Sequence, residues 1–141
     1  MIATAIYNLL NVTAVTNLCN GVFNQTAPQQ LDYPYVVFSE SNYPELYKRG
    51  FQVVHTDLLI TVYCSKGKDG NGGFAQAATI AQAVKDILIY YSGTVGSIDI
   101  DTIILENERA LYDPISEAAR IDINLKVRQN TTNHASGMAG N

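Results

Sequence analysis

The sequence contains no tryptophan, only two histidines and only two cysteines, Cys19 and Cys64. The cysteines are far apart and lack metal-site spacing, so we expect two free thiols in a reducing compartment. No apolar run approaches the about 18 residues that a membrane-spanning helix needs. No positively charged stretch precedes the apolar N-terminus, so we expect no secretory signal. These absences argue against disulfide scaffolds, zinc modules and membrane partners.

Basic residues are also scarce: nine Lys and Arg stand against 13 Asp and Glu, which gives a net charge of −4. Autonomous nucleic-acid binding usually needs a basic patch, so this class is not expected. The 47% hydrophobic and 16% charged content instead suits a folded domain with its own core. We predict one domain over residues 1–128 and a polar, flexible C-terminal tail over residues 129–141.

The glycine-rich segment 66–73 is similar to two kinds of ligand-binding loop but matches neither. A phosphate-binding P-loop ends in Gly-Lys-Ser/Thr, whereas Gly72 is followed by Gly73 and Phe74. A calcium loop beginning at Asp69 would place Ile80 where the bidentate glutamate belongs. We interpret the segment as a surface loop and predict no metal or cofactor there.

Two groups of side chains leave an enzymatic alternative open. His55 and Asp57 share one face of a predicted strand and could form an acid–base pair. The second group is a run of carboxylates that could serve metal-dependent catalysis: Asp99, Asp101, Glu106, Glu108 and Asp113. Its first two members alternate with isoleucines, as on a solvated strand face. We predict no catalytic residues, and a small-ligand-binding or metal-dependent enzyme domain is the less favoured alternative.

Hydrophobic periodicity predicts one long amphipathic helix from Gly73 to Tyr91. Its apolar face is small in the first half, with alanines at 77, 78 and 81, which lets a helix lie close to the surface that it covers. Gly93 suits the left-handed residue that follows a helix.

The remaining periodicities predict an α+β domain, with a largely antiparallel or mixed sheet of four to five strands. The long helix and a short N-terminal helix would pack on one face of that sheet. The predicted elements are a helix over 2–10, a turn or two over 13–18, an edge strand at 22–23, and strands over 33–40, 51–64, 98–105 and 120–128. A slip in phase at 102–105 predicts a bulge or bend. In the last strand, residues 121, 123, 125 and 127 would point inward, and residues 122, 124, 126 and 128 outward.

The segment from Ser41 to Gln52 is unusually aromatic for a connection between strands. Pro44 and Gly50 interrupt regular pairing, so we expect the segment to leave the sheet. Its large apolar side chains would either pack back on the core or meet a partner. We predict an assembly arm whose basic residues meet acidic residues of an adjacent subunit. The predicted interface residues are Tyr43, Leu46, Tyr47, Lys48, Arg49, Phe51, Glu106 and Glu108.

Several of these stretches together resemble the tail-completion, or tail terminator, proteins of long-tailed phages. The resemblance covers about residues 1–128. It is carried by Pro-Tyr-Val-Val-Phe at 34–38, Leu-Leu-Ile-Thr-Val-Tyr-Cys at 58–64, the alanine-rich helix at 74–91 and the alternating strand at 120–128. Its most distinctive part is Glu-Arg-Ala-Leu-Tyr-Asp-Pro at 108–114.

The resemblance implies a homo-hexameric ring that caps the tail tube, stops its growth and presents a surface to the head connector. The implied partners are further copies of the chain, the tail tube protein and a head–tail connector or stopper protein, with DNA close by in the lumen. The implied location is the head–tail junction of a virion assembled in the host cytoplasm. The resemblance implies no catalytic residues. A head-completion protein of the neck, acting as stopper or adaptor, is the neighbouring alternative.

Overall fold

The computed structural model describes residues 2–28, 31–46, 52–65, 72–115 and 117–130. In these ranges the strands form one mixed sheet with the order β1-β2-β3-β6-β5-β4. Only the pair β1–β2 is parallel. The elements are α1 (Ile2–Leu10), α2 (Thr13–Thr16), β1 (Val22–Asn24), β2 (Tyr35–Leu46), β3 (Gln52–Ser65), α3 (Gly72–Leu88), β4 (Gly93–Val95), β5 (Ile98–Asp113) and β6 (Ala118–Asn130). The α+β class is confirmed, but these ranges hold six strands rather than the four to five expected.

The centre of the sheet is the antiparallel pair β3–β6, which presents one continuous apolar face. Leu58 lies opposite Leu125, Ile60 opposite Ile123, and Val62 opposite Ile121. All six side chains are buried. Cross-strand pairs of branched side chains stabilise a sheet because they pack closely on one face. The inward residues predicted for β6 are confirmed, and this face must be covered from the side of the helices.

Helix α3 covers that face through its small side chains. Ala77 and Ala81 are fully buried, and the helix packs against both β3 and β6. At the start of the helix, a Cβ added to Gly73 would overlap the carbonyl oxygen of Ser65 and lie 2.7 Å from the Cβ of Ala119. Glycine is therefore required there by close approach of helix and sheet. Ala78, which the sequence placed on the apolar face, is exposed.

The end of α3 differs from the prediction. The helix stops at Leu88, and the residue with a left-handed backbone is Tyr90, with φ 63°, rather than Gly93. Gly93 instead begins β4. The amide of Tyr90 donates to the carbonyl of Ile103 in β5 at 2.7 Å. This tertiary hydrogen bond fixes the end of the helix at a position that local glycine preference does not indicate.

Strand β2 is longer than predicted, because Pro44 does not end it. Pro44 lies opposite Val54, and pairing with β3 continues to Leu46 and Gln52. The expectation that segment 41–52 leaves the sheet is therefore wrong for residues 41–46 and 52. β1 pairs only with residues 36–38, so the later part of β2 has no described strand on its other side. Proline is tolerated on such an edge, where a missing N–H breaks no ladder bond.

Strand β5 carries the predicted irregularity as two bulges, at Asp101 and Glu106, on either side of the phase slip. Strand β6 runs to Asn130, whereas the tail predicted from the sequence begins at Gln129. Residues 131–141 and the loop residues 66–71 lie outside the described residues. No helix in the described ranges is long and apolar enough to cross a membrane.

Helix α1 has the bounds predicted from its periodicity and is tied to β2 by Glu40. This carboxylate accepts a hydrogen bond from the backbone N–H of Ala3, in the first turn of the helix. Its Oε2 is buried without a hydrogen-bond partner among the described residues. Burial raises the pKa of Glu40 above the ordinary 4.5, although the Ala3 hydrogen bond acts in the opposite direction.

We predict that Ala81→Arg lowers the free energy of unfolding by about 3 kcal/mol or more, because it places a charge in the contact between α3 and the sheet. Ala78→Arg, on the exposed side of the same helix, is the matched control and should change stability by about 0.5 kcal/mol at most. Urea unfolding followed by circular dichroism measures both. Equal effects would mean that α3 does not cover the sheet through Ala81.

We predict that Glu40→Gln changes the pH dependence of stability. A raised pKa in the folded state favours folding while the group is protonated, and this contribution is lost as pH rises through the folded pKa. Glutamine can still accept the Ala3 hydrogen bond and has no charge to bury. The parent should therefore lose stability relative to Glu40→Gln as pH rises above 4.5. Thermal unfolding of both proteins across this range tests it; parallel curves would contradict the account.

Candidate assembly surface

The face of the sheet opposite α3, called here the outer face, carries the side chains that alternate with the buried core residues. Most of its described side chains are half-buried or exposed. At its centre Asp122 is only 5% exposed, although the sequence placed it in solvent. Arg120 donates to both carboxylate oxygens, Nε to Oδ1 at 3.0 Å and Nη2 to Oδ2 at 2.9 Å. Thr61 Oγ1 donates to Oδ1 at 3.1 Å. Bidentate, charge-assisted bonds of this kind hold a buried carboxylate in a fixed position.

Aromatic rings occupy the end of the outer face next to this network. The Tyr33 and Tyr35 rings are stacked at 5.3 Å, and Tyr63 follows at 5.2 Å from Tyr35. Phe23 of β1 meets Tyr35 edge-on at 6.5 Å. Burial is the main cause that raises the pKa of Tyr35 and of Tyr63, so both phenols stay protonated near neutral pH. The row is therefore a neutral, half-buried aromatic surface with hydroxyl groups.

The aromatic row was not predicted, although the sequence carries a signal for it. In β3, residues 58–64 carry large side chains on both alternating sets of positions, a pattern that is typical of a central strand. When helices cover one face of a sheet, the side chains on its other face are usually polar. Tyr35 and Tyr63 depart from this pattern. Large apolar side chains at these positions indicate an outer face that is itself a contact surface.

The carboxylates proposed for metal-dependent catalysis do not gather. They are spread along β5, so Asp99 and Asp113 are roughly 45 Å apart at the rise of an extended strand. Asp101 pairs with Arg128 at 3.6 Å, Glu106 with Lys126 at 3.7 Å, and Glu108 with Lys85 of α3 at 2.6 Å. No group of three potential metal ligands is present in the described ranges. This arrangement comprises two cross-strand ion pairs and one ion pair between α3 and β5.

The histidine–aspartate pair lies on the outer face among cations. His55 is opposite Arg128, and Asp57 is opposite Lys126. Asp57 is exposed and lines a shallow groove of 370 Å³. The other lining residues are polar groups of β2, β5 and β6 and three leucines: Ser39, Glu40, Ser41, Glu106, Asn107, Asn124, Leu58, Leu59 and Leu125. An open, solvated groove does not provide the enclosed environment that tunes acid–base catalysts.

The predicted interface residues fall in three places. Tyr43 and Leu46 belong to β2, where their backbones pair with His55 and Gln52. Glu106 and Glu108 lie in the middle of β5, and each already has a cation of its own chain. The other four lie outside the described residues: Tyr47, Lys48, Arg49 and Phe51. The contact between the basic and acidic groups across subunits stays a prediction.

The sheet also has two long edges without a described neighbour. β4 pairs with β5 at residues 98–100, and the Tyr90 amide donates a hydrogen bond to the carbonyl of Ile103. From Ile104 to Asp113 no described strand adjoins β5 on that side. On the opposite edge, β2 has no described neighbour from Ser39 to Leu46. Unpaired edges present rows of N–H and C=O groups that can pair with another chain.

A comparison with protein families matches the profile described as "Tail completion protein gp17" to residues 4–130. The chain belongs to the tail completion protein family. It is thus a structural protein of phage tails, and the family resemblance seen in the sequence is confirmed.

Among solved structures, a chain in the "Virion of native gene transfer agent (GTA) particle" has the same fold. Its TM-score is 0.72 at 21% sequence identity, and the match covers 90% of this chain and 92% of the other. At this identity the similarity establishes the fold alone. No curated protein matches the sequence. The fold of this tail completion protein therefore also occurs in a virion component of another phage-like particle.

We predict that Arg120→Ala lowers the free energy of unfolding by about 1–3 kcal/mol. It leaves the Asp122 carboxylate buried with Thr61 as a weaker partner; the loss is below that of a fully buried pair because the Arg120 side chain is 31% exposed. Arg128→Ala, in the same strand with an exposed ion pair, should change stability by less than about 1 kcal/mol. Denaturant titration of both variants tests the difference. A larger loss in Arg128→Ala would contradict it.

Proposed function

We propose that this tail completion protein forms a homo-hexameric ring at the head–tail junction, where it ends growth of the tail tube and joins the tail to the head connector. The observation that carries the proposal is the family match over residues 4–130. The fold shared with a chain of a gene transfer agent virion supports it. Carboxylates that are dispersed and ion-paired favour a structural role over an enzymatic one.

The geometry of the subunit also supports ring formation. Helix α3 packs against β3 and β6, and no described strand adjoins β2 beyond Phe38 or β5 beyond Ile100 on their outer edges. The two edges are different surfaces at opposite sides of the subunit. Contacts between two different surfaces are heterologous, and they generate a ring when the rotation between subunits closes.

The proposed partners are further copies of the chain, the tail tube protein and the head–tail connector or stopper protein. DNA would pass through the lumen without specific recognition, because the chain has a net charge of −4 and no basic surplus. The connection between β2 and β3 is a proposed subunit contact. Lys48 and Arg49 would there approach Glu106 or Glu108 of a neighbouring subunit and compete with the pairs made by Lys126 and Lys85.

A head-completion protein of the neck is the neighbouring alternative, and loss of the protein distinguishes the two roles. We expect phage that lack it to produce tail tubes of uncontrolled length together with unjoined heads. Complementation with the full chain should restore uniform, joined tails. Negative-stain electron microscopy of the lysates measures tail length and joining.

Tails of normal length that fail to attach to heads would instead assign the protein to the neck. Complete, infectious particles in its absence would contradict both roles. Lysates complemented with the empty vector are the control for any effect of the complementation system.

A further inference from the structure

We infer that neighbouring subunits join by β-strand pairing, so that the open edge of β2 in one copy adds to the open edge of β5 in the next copy. The segments concerned are 39–43 of β2 and 107–113 of β5. The inference rests on the proposed ring and specifies its contact. A second copy of this chain is the occupant of each edge, and the sheets of all subunits would be continuous around the ring.

The second half of β5 lacks several of the devices that protect an edge strand. Native edges are commonly blocked by bulges, prolines, charged side chains or a covering element. Of these, residues 107–113 carry only charged side chains, Glu108, Arg109 and Asp113. The first half of β5 has the bulges at Asp101 and Glu106, and the Tyr90 amide covers Ile103. Residues 107–113 contain no bulge, proline or lysine. An edge of this length without a bulge, a proline or an adjoining described strand is available for pairing in the assembled state.

The exposure of apolar side chains points to the same segment. Ala110 lies opposite Ile121, and Tyr112 lies opposite Ala119. Ile121 and Ala119 are buried beneath α3, whereas Ala110 is exposed and Tyr112 is 46% exposed. Lys85 of α3 reaches the second half of β5 at Glu108, but Ala110 and Tyr112 beyond it remain exposed. A neighbouring copy that extends the sheet would cover these side chains.

The edge of β2 offers a shorter run, residues 39–43. β1 ends opposite Phe38, and the Gln25 amide closes its last position by donating to the Phe38 carbonyl at 2.7 Å. Beyond this point the edge is open from Ser39, and Pro44 removes one donor, so the unbroken run is 39–43. Five residues are a usual length for a paired strand. The run contains no lysine or arginine that would repel an incoming strand.

Strand direction explains why a second copy fits. β2 is antiparallel to β3, β3 to β6, and β6 to β5, so β5 and β2 run in opposite directions. When copies are related by rotation, β2 of one meets β5 of the next in the antiparallel sense. This is the pairing already used by the three central ladders. Across the sheet, Ser41 is level with Ile104, and Arg109 is level with Val37. Pairing of 39–43 with 107–113 therefore needs neighbouring copies to be staggered by about five residues, as occurs when strands are tilted from the ring axis. Because the two edges are different, the contact is heterologous and can repeat in a ring.

Cysteine cross-linking of the full-length chain tests this contact. Ser41→Cys and Arg109→Cys replace exposed side chains on the outer face of β2 and β5. A short bis-maleimide tolerates a shift of a residue or two in register. Burial raises the pKa of Cys64 to about 11 and also raises that of Cys19, so the native thiols should react slowly near pH 7. The parent chain measures this background.

The double variant should give a ladder of covalent oligomers up to the full ring, and a mixture of the two single variants should give covalent dimers. Each single variant alone should remain at the parent background. Dimers of Arg109→Cys alone would indicate a two-fold β5–β5 contact and overturn the inference. Rings that form by size measurement without β2–β5 cross-links would overturn it while leaving the proposed function intact. Absence of any assembly would overturn both.

A matched pair of lysine variants locates the contact along β5. Ala110→Lys and Ile104→Lys both place a cation at an exposed apolar position, on opposite sides of the Glu106 bulge. Ala110→Lys should weaken ring assembly at least tenfold, and Ile104→Lys should leave it near the parent level. Sedimentation measures assembly, and circular dichroism verifies folding of the subunits. Equal behaviour of the two variants would contradict a contact confined to 107–113.

Discussion

The apolar ladder between β3 and β6 is the constraint on which the rest of the structure depends. Its inward side chains alternate strictly over four consecutive cross-strand positions, so one face of the sheet must be removed from water. Helix α3 covers this face because Ala77, Ala81 and Gly73 allow it to lie against the strands. The core on this face extends to Val36 and Phe38 of β2 and to Ile100 and Ile103 of β5, whereas Ala110 and Tyr112 of β5 are exposed. The outer face and the second half of β5 remain for other contacts.

This division of surfaces suits a subunit of an assembly. The core is satisfied within one chain, so the subunit can fold before it joins its neighbours. The outer face combines a neutral aromatic row at one end with balanced ion pairs at the other. Such a surface offers apolar area and hydrogen-bonding groups without a strong field of one sign. Membership of the tail completion family gives these surfaces a biological setting in the phage tail.

The sequence predicts an element best when the residue pattern of that element alone determines its structure. α1 and β6 were located closely because their periodicities of 3.6 and 2 follow directly from a single buried side. The strand predicted over 33–40 ends before β2 does at Leu46, because Pro44 was expected to interrupt pairing. Proline breaks a central strand but is tolerated on an edge, and the edge is a property of the whole sheet. The left-handed residue after α3 is Tyr90 rather than the predicted Gly93, because the Tyr90 amide bonds to Ile103 in a strand distant in sequence.

The candidate surface was harder to predict than the fold for the same reason. The alternation of apolar and polar residues in β6 predicts that Asp122 faces solvent. Only the fold brings Thr61 within hydrogen-bonding distance of its carboxylate. The aromatic row joins Tyr33 and Tyr35 to Tyr63 from another strand. The unpaired edges depend on where short β1 and β4 end, and no local pattern fixes those ends. By contrast, the family resemblance was recognised from the strands and helix themselves.

Hydrogen–deuterium exchange of free subunits and assembled rings tests most directly whether the edges of the sheet build the assembly. Edge amides exchange readily until they donate to another strand. The account predicts that peptides spanning 39–43 and 107–113 gain protection on assembly, while the central peptides of β3 and β6 are protected in both states. Protection gained only by peptides of the aromatic row, with both edges unchanged, would contradict it.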